Sequence, residues 1–207
     1  VLSSRTARAE MHLRGALSAE LQNDTTYRAS DSDSKINDLY FKTESSFLLE
    51  FVEGFSLEGA FVLEPVFDPK SNEDRWIDDH GFFVEQLFLN YTWERYTLRA
   101  GKFNPAFGLA WDLAPGIYGT DFAEDYELTE RISVGGSIEF GDDTVGSHAL
   151  SIDTFFADKS FLSESTLNNR GHTRERDGGV SNTGDLRSFS IALQSEEMPQ
   201  VHGLTHH

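Results

Sequence analysis

Apolar and polar positions alternate one by one along most of this chain, the period of a β-strand with a single apolar face. Leu13, Gly15, Leu17, Ala19 and Leu21 interleave with Arg14, Ala16, Ser18, Glu20 and Gln22. Leu39, Phe41, Thr43, Ser45, Phe47, Leu49 and Phe51 do so with Tyr40, Lys42, Glu44, Ser46, Leu48 and Glu50. The pattern returns at Phe55 to Glu64, Gln86 to Trp93, Tyr96 to Gly101, Arg131 to Phe140, Leu150 to Phe156 and Ser188 to Gln194, and restarts at Val201. No segment carries the 3.6-residue period of an amphipathic helix. The pattern predicts an all-β fold of eight strands and the start of a ninth.

The connections carry more information than the strands. The first two strands are separated by "NDTTYRASDSDSK", the third and fourth by "PVFDPKSNEDRWIDDH", the fifth and sixth by residues 103–130, and the seventh and eighth by residues 159–186. Between these lie short links at Glu53-Gly54, Glu94-Arg95, "GDDTVG" and "EEMPQ". Long and short alternate, so antiparallel neighbours place every long loop at one end and every short turn at the other. Transmembrane β-barrels have this asymmetry. Phe51, Phe55, Tyr91, Trp93, Tyr96 and Phe140 flank the short turns, where a barrel carries its aromatic belt at the membrane interface. A soluble β-sandwich, for example a glycan-binding module, also alternates; the sorting of loops by length favours the barrel.

Charge and composition narrow the classes. The chain has 17 Lys+Arg and 35 Asp+Glu, a formal net charge of −18, which argues against a nucleic-acid binder. It has no cysteine, so disulfides, thiolate metal sites and a cysteine nucleophile are excluded. No run approaches the length of a transmembrane helix, but a barrel strand needs only about 9–11 residues, every second one apolar. Ala7-Arg8-Ala9 has the small-x-small form of a cleavage site without an apolar core before it. Residues 1–12 therefore read as a polar N-terminal segment and 13–207 as one β-domain. No nucleophile motif of the GxSxG kind occurs, and nothing points to catalysis.

"LRAGKFNPAFG" (98–108), preceded by "VEQLFLNY" (84–91), resembles Gram-negative outer-membrane porins, closest to the proteobacterial general-diffusion and phosphate-selective types. The resemblance implies an antiparallel transmembrane barrel of about 16–18 strands when complete, with this chain as its N-terminal part. It implies a homotrimer in the bacterial outer membrane, in contact with lipid and lipopolysaccharide, passing small hydrophilic solutes or ions. It also implies that the third long loop, 103–130, folds inward as the constriction. A small eight-stranded barrel with a structural or adhesive role is the alternative, but its interior is just wide enough for side chains.

On that reading Asp112, Asp121, Glu124, Asp125 and Glu127 form an acidic constriction that concentrates cations. Lys42, Arg99 and Arg131, on the polar faces of their strands, form a basic wall opposite. The strong acidity puts phosphate selectivity in doubt. Lys102 has lipid-face parity and is expected at the strand end, reaching the interface. "DPKSNEDRWIDDH" (68–80) is acidic enough for Ca²⁺, or for divalent bridging to lipopolysaccharide phosphates, but lacks EF-hand spacing. His202 and His206 would sit about 13 Å apart in a strand, too far to share a metal.

Overall fold

The computed structural model describes residues 11–108 and 127–196. Its long strands are β1 (His12–Thr25), β2 (Asn37–Val52), β3 (Phe55–Pro65), β5 (His80–Trp93), β6 (Tyr96–Phe103), β7 (Arg131–Asp142), β8 (Gly146–Ala157) and β10 (Ser188–Glu196). Two-residue strands β4 (Arg75–Trp76) and β9 (Thr166–Leu167) lie inside long connections. Helical structure among the described residues is confined to three single 3-10 turns.

The long strands form one sheet in the order β1-β2-β3-β5-β6-β7-β8-β10, each antiparallel to its neighbour. β4 adds to β2 in parallel and β9 to β5 antiparallel, giving ten strands in all. The sheet is open. β1 and β10 are its edges and do not pair with one another, so among the described residues the strands do not close into a barrel. The links β2–β3, β5–β6 and β7–β8 are tight, and the described long connections leave from the opposite end. Gly54, in the β2–β3 turn, has φ of +77°, and a Cβ there would run into the carbonyl of Thr92; glycine meets both demands.

The two faces are buried in the reverse of the soluble pattern. Leu89, Tyr91, Trp93, Leu98, Val134, Ile152, Phe189, Ile191 and Leu193 share the apolar face and are exposed. Ser56, Phe83, Phe103, Ser133, Asp153, Phe155 and Ser190 share the polar face and are buried. Two adjacent residues of β8 show the contrast: Ile152 is 51% exposed and Asp153 0%. A sandwich turns its apolar face inward; this sheet turns it outward.

Aromatic residues line the short-turn end of that face. Phe51 lies 6.0 Å from Phe55, Phe55 lies 6.3 Å from Tyr91, and Trp93 stacks on Tyr96 at 6.0 Å, all centroid to centroid. Phe140 packs on His148 across β7 and β8 at 5.2 Å.

At the other end the long loops hold one another. β6 pairs with β5 only as far as Lys102 with Leu87. The stretch of β5 beyond it is left to β9, which pairs with Gly81 and Phe82. The chain leaving β8 therefore runs back past the ends of β7 and β6 and fills the notch that β6 vacates. We call residues 158–170 the strap. A second brace is β4, where Arg75 forks onto the buried Asp38 with Nε–Oδ1 at 2.6 Å and also donates to the Phe67 carbonyl at 2.7 Å.

Candidate functional site: an acidic cleft at the loop end

The polar face and the neck of the 103–130 loop meet in a cleft of about 380 Å³. Its walls are strands. Ser18, Glu20 and Gln22 come from β1, Lys42 and Glu44 from β2, Val62 and Glu64 from β3, and Phe83 and Glu85 from β5. Alternation aims these side chains the same way. Glu85 is the exception that proves local rather than periodic in origin: the β3–β5 register skips it, with Ala60 opposite Gln86 and Phe61 opposite Val84. Such a bulge re-aims a side chain, and here it sends a carboxylate toward the loop neck.

Asn104 draws the neck together. Its Nδ2 donates to Glu85 at 3.1 Å and to Glu127 at 3.2 Å, and its Oδ1 accepts from the Glu130 backbone N–H at 2.9 Å. Two residues on, the Ala106 N–H donates to Asp153 Oδ2 at 3.2 Å. Asp153 belongs to the polar face, so the first limb of the loop leaves the ladder toward that face. Pro105, with no N–H to give, ends the pairing between these contacts.

Glu130 joins the neck to the strap. It receives Lys102 Nζ at 2.7 Å and the Arg170 guanidinium. Lys102 also reaches Asp158 at 3.0 Å and the Leu162 carbonyl at 2.9 Å. Its side chain is 0% exposed, which corrects the expectation of an interfacial lysine. The register keeps Lys102 in line with Leu87 and Ile132, but the strap packs against this strand end and brings Asp158 and the Leu162 carbonyl, while the loop neck brings Glu130. A buried ammonium is tolerable only with such partners. Arg170 lies 3.7 Å over the Phe83 ring and donates from Nε to the Ser163 carbonyl at 2.8 Å.

No family model, characterised protein or solved structure matches this chain. The porin resemblance therefore rests on the residues that carry it.

The residues expected from sequence are distributed as follows. Lys42, Arg99 and Arg131 all lie on the polar face. Two of them are matched by carboxylates on the same wall: Lys42 by Glu44 at 3.0 Å and Glu64 at 3.5 Å, Arg99 by Asp153 at 3.3 Å. Arg99 and Asp153 sit two strands apart with Gly135 between them in register. A Cβ at 135 would overlap the Asp153 carboxylate, so glycine is what lets the pair form. Glu127 is in the cleft, bonded to Asn104. Asp112, Asp121, Glu124 and Asp125 lie outside the described residues.

The cleft holds six glutamates, counting Glu127 and Glu130, against Lys42 and Arg170. Its charge favours cations before the remaining loop carboxylates are considered. Among the described residues no group of His, Asp or Glu is arranged to hold a metal ion. In the acidic 68–80 loop, Asp74 instead accepts from the Asn37 N–H at 2.7 Å and Arg75 is engaged with Asp38. Sequence reasoning missed Arg170 and the Arg75–Asp38 pair as parts of the site's frame. Only Lys102 gave a signal, a charge on an otherwise apolar face.

Proposed function

We propose that this sheet is part of the wall of an outer-membrane porin, and that the chain serves passive diffusion of small hydrophilic solutes with a preference for cations. One observation carries the reading: the apolar side chains face outward along the sheet while the polar and charged ones face in. Water on both sides would make that arrangement costly, because each exposed Leu, Ile or Phe forgoes roughly 1.5–3 kcal/mol of burial. Lipid on the outer side removes the penalty.

Dimensions agree. From Phe55 to Leu63 the apolar face of β3 runs roughly 26 Å along the strand at ~3.3 Å per residue. Tilted by about 40°, that spans ~20 Å, near the ~25 Å apolar band of an outer-membrane barrel. Among the described residues no helix is long and apolar enough to cross a membrane, so strands would do the crossing. The open edges at β1 and β10 require partners in lipid, where unpaired backbone is not tolerated. Further strands would supply them.

The mechanism is size exclusion at the 103–130 loop combined with the field of the carboxylates around it. Reversal potentials across a planar bilayer in a salt gradient test this. Wild type should favour cations. Replacing Asp121, Glu124 and Asp125 together by their amides should lower the preference, and no shift would remove those carboxylates from the pore.

A further inference from the structure

The strap bounds a second cavity of about 470 Å³, beside the acidic cleft. Its lining differs in character, with Arg131, Asp158, His172 and Asp177 among its residues. The two cavities share three residues: Thr129, Glu130 and Arg170. The Arg170–Glu130 ion pair thus stands in the partition between them.

Both partners are held from more than one side. Arg170 is fixed by the Phe83 ring, by Ser163 O, and through its own N–H by Ser165 Oγ at 2.8 Å. Glu130 has φ of +53°, a conformation a non-glycine residue keeps only under constraint. Lys102 and the bond from its N–H to Asn104 supply that constraint. Removing Arg170 would leave the base of the 103–130 loop tied to the strap only through Lys102, which bonds Glu130, Asp158 and the Leu162 carbonyl.

We infer, on the channel reading above, that Arg170 is a positioning residue for the constriction: the strap, through the Arg170–Glu130 pair, sets where the base of the 103–130 loop stands and how far the two cavities communicate. The loop is then held from two elements distant in sequence, its own neck at Asn104 and a residue of the next long loop. A solute moving between the cavities passes this pair, and its charge balance and position act on passage.

The test uses the full chain in lipid and two independent readouts. Amide exchange reports loop anchoring; single-channel recording reports passage. Arg170→Ala should speed exchange at the Glu130 and Ala106 amides about tenfold, the loss expected for one charge-assisted anchor. It should also change unit conductance. Glu130→Gln, which removes the other partner's charge, should reproduce both effects, and Arg170→Lys should fall between Arg170→Ala and wild type. Lys70→Ala, in an exposed loop pair with Glu73, should change neither. Unchanged exchange in folded Arg170→Ala and Glu130→Gln would overturn the inference and leave the porin reading standing. Faster exchange with unchanged conductance would show an anchor that does not set the constriction, and would also overturn it. Faster exchange in a chain whose wild type conducts nothing would overturn the porin reading and the positioning role with it.

Discussion

Placing an arginine at position 152 discriminates sharply between lipid and water outside the sheet. Ile152 sits in the middle of β8 on the apolar face, opposite Gly136 of β7 and Ile191 of β10. The residue is 51% exposed, so little protein packing is lost on substitution. If water covers this face, Ile152→Arg should cost no more than ~0.5 kcal/mol, as for ordinary surface changes. If lipid covers it, the cost near the midplane is about 2–4 kcal/mol, roughly a 30- to 700-fold fall in the folding equilibrium constant. Ser151→Arg, one residue away on the polar face, should cost less than ~1 kcal/mol in either case. Urea titration of the chain folded into phosphatidylcholine vesicles, followed by tryptophan fluorescence, measures both. A cost for Ile152→Arg within ~0.5 kcal/mol of wild type, or equal costs at 151 and 152, would refute the assignment of the apolar face to lipid.

Other consequences concern the frame. Arg75→Met strands the Asp38 carboxylate, with both side chains only about a tenth exposed, and should destabilise the chain by about 3–5 kcal/mol in urea titration; adding Asp38→Leu should recover most of it. Gly135→Ala drives a methyl group into the Asp153 carboxylate and should cost about 1–3 kcal/mol, with Arg99→Ala nearly silent in that background. Additive effects of the last two changes would mean that the Arg99–Asp153 pair does not depend on the gap at Gly135.

Much of the sheet is legible in the sequence because its physics is periodic. Eight alternating segments correspond to the eight long strands, and the links at Glu53-Gly54, Glu94-Arg95 and 143–145 correspond to the tight turns. The aromatic positions near those turns come together as rings in contact. What escapes is non-periodic. β4 and β9 are two residues each, too short to carry alternation, and exist because β2 and β5 offer unpaired backbone there. Arg170 lies in a long polar connection and gains its role only when the strap crosses to β5. Lys102 shows both sides of the matter: parity gives its face, and only the strap explains why a lysine there is buried. The bulge at Glu85 depends on register with β3, which no single strand encodes.

The character of the two faces of the sheet can be probed directly. Spin labels placed one at a time from 150 to 155 on β8, in chain folded into vesicles, report oxygen and aqueous nickel accessibility at each position. Lipid outside the sheet predicts alternation: 150, 152 and 154 high in oxygen and shielded from nickel, and 151, 153 and 155 low in oxygen. High nickel accessibility at 150, 152 and 154 would place water against the apolar face and contradict a membrane wall.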